Sequence, residues 1–240
     1  MTLNTSDLSH AGVPETRAPL QGLSETVECV IGRFESLNEA RDHAVTEGRH
    51  VVRLAANAVR ALHRDDTDTA AGLLQQAEEI LEKIRESTGP FPAVYWAGYV
   101  QDAMKEYAEA QITAALLAEA DLPTPESLKV EDAAYLNALA EAGSELRRDV
   151  LDRLRADREE IAEYLLMRMD EIYGVLVTVD FPDAITGGLR RTTDQFRAVL
   201  ERTRGDVTVA MRQHRLEVAL RLMDDRGNAA LDALNEHLPE

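Results

Sequence analysis

Apolar residues recur at spacings of three and four through most of the chain, and runs that alternate as a strand would are scarce. Val27, Ile31, Phe34, Leu37, Val45, Val52, Val59 and Leu62 keep that period with no proline among them, which predicts one long helix over about 25–64. Asp65, Asp66 and Asp68 mark a turn. A second helix, about 67–87, turns Ala71, Leu74, Ile80, Leu81 and Ile84 inward, and Gly89-Pro90-Phe91-Pro92 breaks it. A third, about 92–119, carries Tyr95, Tyr99, Met104, Tyr107 and Ile112 and leads to a second break at Pro123-Thr124-Pro125-Glu126. A fourth, about 131–156, contains Tyr135, Leu139, Leu146, Val150 and Leu154; a fifth spans about 158–177; Val179 to Gly188 reads as a loop. In the sixth, about 189–225, Leu189, Phe196, Leu200, Val207, Met211, Val218 and Leu222 alternate spacings of seven and four. That averages roughly 3.67 residues per turn and stays on one stripe of a straight helix. Gly227 is expected to end it, before a short seventh helix over about 228–236. Residues 1–23 are rich in Ser, Thr, Pro and Gly without a period and read as a mobile tail. The expected fold is all-α, a single helical domain over 24–240 built as a bundle of about seven long antiparallel helices.

Such helices far exceed the mean of about 11–12 residues and present more apolar surface than one bundle covers. Part of the sixth or the first helix is therefore expected to dock on another subunit. Composition agrees with a packed helical chain: 240 residues, 45% of them hydrophobic, with Ala, Leu, Glu and Arg abundant. No apolar stretch approaches bilayer length and the N-terminus does not resemble a signal peptide, so no membrane partner and a cytoplasmic location are expected. Cys29 is the only cysteine, which excludes an intrachain disulfide, and is expected to be a small buried residue.

The formal charge of −18 speaks against nucleic acid as a partner, but the kind of charge changes that reading. Only three of the 26 basic residues are lysines, Lys83, Lys105 and Lys129. An acidic, lysine-poor surface fits a halophilic interior, where the Debye length shrinks to about 3 Å near 1 M salt. There, global charge reports on solubility, and local exceptions report on ligands.

Two features stand out. Glu106 and Glu109 lie in Lys105-Glu106-Tyr107-Ala108-Glu109-Ala110, and Glu141 and Glu145 in Ala140-Glu141-Ala142-Gly143-Ser144-Glu145-Leu146. These spacings put each pair on one face of an apolar helix, where an unpaired carboxylate is costly. If the pairs face each other, they require shared protons or a hard cation such as Mg²⁺ or Mn²⁺. With 44 acidic residues, such pairs also arise by chance on solvated faces. The second feature is the run from Gly48 to Arg64, which contains no acidic residue. Within it Arg49, Arg53, Asn57, Arg60 and Arg64 step by four, four, three and four, opposite Val52, Val59 and Leu62, with His50 and His63 also present. Guanidiniums repeating at about 6 Å can track a phosphate backbone; pairing with glutamates of a neighbouring helix is the alternative. Tyr95, Trp96, Tyr99 and Tyr107 could stack bases, although core packing is the commoner role. Gly205, within Arg204-Gly205-Asp206, costs a helix roughly 1 kcal/mol and suggests a close helix crossing or backbone approach. No Gly-rich phosphate loop, zinc spacing or Ser/His/Asp constellation is present.

These segments resemble, in the same order, the translin and translin-associated factor X family. Arg49-His50-Val51-Val52-Arg53 with Asn57, Arg60, Ala61, Leu62, His63 and Arg64 is similar to its first-helix motif. Glu106 with Tyr107-Ala108-Glu109-Ala110 resembles the Gln-Glu-Tyr-Val-Glu-Ala segment of the factor X branch. Tyr135-Leu136, Glu141 and Ser144-Glu145-Leu146-Arg147-Arg148 resemble its fourth-helix motif, and Leu189-Arg190-Arg191 through Arg226-Gly227 is similar to the last long helix of both branches. The resemblance spans about 25–236. It implies a seven-helix subunit in a closed octameric barrel, homomeric or shared with a second translin-like chain, that binds single-stranded RNA or DNA. In the factor X branch it also implies a Mg²⁺-dependent endoribonuclease whose carboxylates map onto Glu106, Glu109 and Glu141, with Glu145 beside them as a further metal ligand. Glu141 stands where that branch usually has Asp. Arg49, Arg53, Asn57, Arg60, His63 and Arg64 carry over as nucleic-acid contacts. The alternatives are a translin-like binder without catalysis and a helical nucleotide pyrophosphohydrolase.

Overall fold

A computed structural model describes residues 21–235, the side chains of 229–235 excepted. The expected tail therefore lies almost wholly outside the described residues. As expected, the fold is all-α. Among the described residues there are nine helices and no strand: α1 (Leu23–Leu62), α2 (Thr67–Thr88), α3 (Pro92–Tyr95), α4 (Gly98–Leu117), α5 (Pro125–Leu128), α6 (Asp132–Arg155), α7 (Glu159–Leu176), α8 (Asp183–Thr186) and α9 (Leu189–Asn235). No described helix is long and apolar enough to cross a membrane.

The chain divides into two compact units, one ending at Glu39 and one from Ala40 to Glu240. In the first, Leu23, Val27, Ile31 and Phe34 are exposed. Cys29 is exposed too, not buried as expected. The described part of this unit is a single stretch of helix, with no second layer that could cover a thiol.

In the second unit, α6 lies at the centre and packs against α4, α7 and α9. Its buried face is built from small residues, Ala134, Ala138, Ala142 and Gly143 among them, which lets three helices approach closely. Gly143 is the tightest of these places: a Cβ there would lie 2.6 Å from Cζ of Phe196. Phe196 is fully buried, with its ring edge-on to Tyr173 at 6.3 Å. Gly205, by contrast, is not at a close crossing: a Cβ on it would meet nothing within 4 Å. Its neighbours act through side chains instead, Arg204 pairing with Asp170 and Asp206 with Arg147. In α1, the residues that enter the core are Ala44, Gly48, Val51, Ala55, Ala58 and Leu62, while Val52 and Val59 are half-buried on the flank.

Three expected boundaries differ. The helix expected over 92–119 is interrupted, because Ala97 is extended (φ −70°, ψ 145°) and the Gln101 side chain donates to the Tyr95 carbonyl at 3.0 Å, stabilising the break. The Val179–Gly188 loop contains α8, closed by Gly187 in the left-handed region (φ +61°). Gly227 does not end the last helix; α9 runs through it to Asn235. A glycine weakens a helix by about 1 kcal/mol but stops it only where the backbone turns to positive φ, and Gly227 has no such turn. Along α9, Leu189, Phe196, Leu200 and Val207 are buried as their stripe predicts, but Val218 and Leu222 are exposed, as is every residue from Arg212 to Asn228.

Two glycines thus have opposite environments. Gly143→Val should lower stability to urea by about 1–3 kcal/mol through overpacking against Phe196. Gly205→Ala should raise it by up to about 1 kcal/mol through helix propensity alone. Equal effects of the two substitutions in urea titrations would contradict this packing.

Candidate metal centre

The packing of α4 on α6 decides where the acidic pairs go. Glu106 and Glu109, a turn apart on α4, face Glu141 on α6, and each offers a carboxylate oxygen such that all three lie within 4.8 Å of one another. Burial pushes the Glu109 carboxyl up to about 8, and the charges of Glu106 and Glu141 push the same way, opposed by the Lys105 ammonium. Lys105 precedes Glu106 on α4, and its Nζ donates to Glu106 at 2.8 Å and to Glu141. Asp102, one turn back, is 3.9 Å from the same nitrogen.

Glu145 is not part of this trio. It accepts a hydrogen bond from His63 Nε2 at 3.0 Å, while Nδ1 of the same ring meets Asp149 at 2.9 Å. His63 stands just past the end of α1 with its side chain only 2% exposed. The hydrogen bond to Asp149, then that to Glu145, hold the imidazole protonated and push its pKa up to about 9, against the opposing effect of burial. Both ring nitrogens therefore donate, and the imidazolium ties the end of α1 to α6.

The rest of the basic stripe is as its spacing predicts. Arg49, Arg53, Asn57, Arg60 and Arg64 are all exposed. Arg60 donates to Asn57 at 2.8 Å. Among the described residues, none of these four arginines pairs with a carboxylate, so the alternative of neutralisation by a neighbouring helix is not met within the chain. His63, expected beside them as a nucleic-acid contact, is the one that turns inward. Of the aromatics, Tyr107 is core, Tyr95 donates its hydroxyl to Glu131 at 2.5 Å, and Trp96 is 59% exposed.

Two participants were not singled out by the sequence pattern. Asp149 continues the four-residue step Glu141, Glu145, Asp149 along one face of α6, a legible signal. Lys105 had only its rarity and its place beside Glu106 to mark it.

No family model matches the chain. An uncharacterized protein of Methanocaldococcus jannaschii is 26% identical over 194 residues, covering 80% of this chain and 86% of that protein. Among solved structures, the crystal structure of AfC3PO is 30% identical with a TM-score of 0.71, covering 78% of this chain and 97% of the other. A complex of AfC3PO with duplex RNA gives the same identity and TM-score over 78% of this chain and 96% of the other. Apo-NeC3PO, 18% identical with a TM-score of 0.70 over 81% and 100%, shares the fold. The chain belongs to the translin family.

In this translin-family chain, the trio stands on two packed helices, not on loops, and its chemistry fits a hard divalent ion. Oxygens on opposite sides of such an ion, each at about 2.0–2.6 Å, are about 4.0–5.2 Å apart. The observed limit of 4.8 Å lies toward the wider end of that span, and the side chains would close slightly on Mg²⁺, whose opposite oxygens are about 4.2 Å apart. Three oxygen donors suit Mg²⁺ or Mn²⁺, and a carboxyl raised this far by burial and like charge is one that a cation would return to its ionised form.

The sign of the pH effect follows from Glu109. Its folded pKa of about 8 is above the ordinary 4.5, so between these values the folded chain keeps a proton that the unfolded chain has released. Its contribution to stability is complete below pH 4.5 and is lost as pH rises toward 8. Glu109→Gln should match wild type near pH 4 and exceed it at pH 8.5 by on the order of 1–3 kcal/mol in urea titrations without divalent ions. A pH-independent difference would contradict the shift.

Proposed function

We propose that the chain binds single-stranded RNA or DNA and cleaves RNA with the help of Mg²⁺ or Mn²⁺ held by Glu106, Glu109 and Glu141, as in the factor X branch of its family. The observation that carries this reading is the meeting of those three carboxylates between α4 and α6. RNA as partner is supported by AfC3PO, a relative solved with duplex RNA, and by Arg49, Arg53, Arg60 and Arg64, which are exposed and pair with no carboxylate among the described residues.

The roles divide as follows. Arg49, Arg53, Arg60 and Arg64 draw the phosphate backbone in by charge, and Asn57 adds a polar contact. Glu106, Glu109 and Glu141 hold the ion. When bound, the ion lowers the pKa of a water and neutralises charge that builds on the phosphate oxygens. One of the three carboxylates helps to remove the proton of that water. His63 and Asp149 fix Glu145 at the edge of the site, where it supports the trio. Exposed Leu216, Leu220 and Met223 on α9 support assembly with further copies, in the closed octamer that the family resemblance implies, or with a second translin-like chain. In the acidic, lysine-poor setting of this chain, the site works in the salt-rich cytoplasm of a halophile.

One observation favours a second reading. The Lys105 ammonium already neutralises part of the trio, as it would in a translin-like binder without chemistry. That reading gives RNA affinity without metal-dependent turnover.

End-labelled single-stranded and duplex RNA, incubated with the protein in molar salt with and without Mg²⁺ or Mn²⁺, separates the two. Metal-dependent cleavage is expected, and the double variant Glu106→Ala/Glu109→Ala should lose at least about 100-fold in rate while keeping RNA affinity. Undiminished cleavage by that variant would contradict the assignment, and binding without turnover in every metal would favour the binder.

A further inference from the structure

Lys105 is one of three lysines in a chain that otherwise uses arginine for positive charge. Its side chain is 16% exposed, and its ammonium donates to Glu106 and Glu141, two of the three carboxylates that face one another between α4 and α6. Helix α4 therefore supplies its own cation to the space that the trio encloses. A monovalent ammonium and a divalent ion drawing on the same oxygens would be in near contact, and their repulsion in a partly buried site would be strong. Both cannot stay.

The residue type suits departure. Lysine carries a compact charge on a flexible four-carbon stem, whereas a guanidinium would grip two carboxylates through a planar fork. A destination is at hand: Asp102 is 3.9 Å from Nζ, and its side chain is 60% exposed.

We propose that Lys105 is the resident counter-ion of the carboxylate trio, and that a divalent ion binds by displacing its ammonium outward toward Asp102 and the substrate phosphate. This rests on the metal-binding reading of the trio. It makes Lys105 a determinant of metal affinity: the trio holds together without a divalent ion, at the cost of a competitor for the same oxygens. Released, the ammonium adds a positive charge at the mouth of the site only when the ion is in place, which couples phosphate binding to metal binding.

The alternative role, a brace that orients the carboxylates for the ion, has the opposite consequence, since its removal would weaken metal binding. The full-length protein distinguishes them. Free Mn²⁺ is followed by electron paramagnetic resonance during titration of wild type, Lys105→Gln and Lys105→Met. Loss of a competing charge should tighten Mn²⁺ binding by about tenfold in both variants. In wild type, an amine-selective reagent read by mass spectrometry should modify Lys105 about tenfold faster in saturating Mg²⁺ once the ammonium is freed from its carboxylates, with Lys83 and Lys129 as unchanged internal references. The labelling arm uses no variant and stands even if the substitutions disturb folding. Equal or weaker Mn²⁺ affinity in the variants, or Lys105 labelling that ignores Mg²⁺, overturns the proposal while leaving the metal site intact. Absence of Mn²⁺ binding by wild type and both variants overturns the metal reading itself, and this proposal with it.

Discussion

The contact between α4 and α6 is the constraint on which the rest depends. Small residues along α6 let three helices close around it, with Gly143 admitting the ring of Phe196. The same closeness brings Glu106 and Glu109 against Glu141 at a half-buried site. Like charges in such a place need compensation, and the molecule uses two means. A proton is held on Glu109, and the ammonium of Lys105 serves the other two. Neither is the best solution for three hard oxygen donors, and that mismatch is what points to a divalent ion.

A second set of charges supports the first. His63 enters from the end of α1 and binds Glu145 and Asp149, the next two acidic positions along the same face of α6. This imidazolium offsets one of the two negative charges of Glu145 and Asp149 and fixes the end of the helix that carries the arginine stripe. The arginine stripe and the carboxylate trio are thereby tied to one framework through α1 and α6. The global charge of −18 conceals this arrangement, because the arginines that face solvent are locally unopposed.

Most of the helices, and the acidic trio itself, were legible in the sequence because both follow helical periodicity. The buried stripe of α9 from Leu189 to Val207 follows its spacing, and Glu106, Glu109 and Glu141 follow from three- and four-residue steps plus a family resemblance. What escaped depends on tertiary contacts. The break at Ala97 is stabilised by a side-chain amide from the next helix turn, and Gly227 continues the helix because nothing there demands positive φ. His63, carried over with the arginines as a nucleic-acid contact, instead faces two carboxylates more than 80 positions away. Glu145 was grouped with Glu141 by spacing, yet that imidazole claims it. The close approach expected at Gly205 is found at Gly143 instead, since the sequence cannot tell which glycine faces a ring and which faces open space.

The central claim is that Glu106, Glu109 and Glu141 gather around one hard cation. Crystals grown in Mn²⁺ and measured at the manganese absorption edge test it most directly. An anomalous peak within about 2.0–2.6 Å of oxygens from all three side chains, with the Lys105 ammonium moved away, is the predicted result. Full-strength density for the ammonium between Glu106 and Glu141, with no anomalous signal at saturating Mn²⁺, would contradict it.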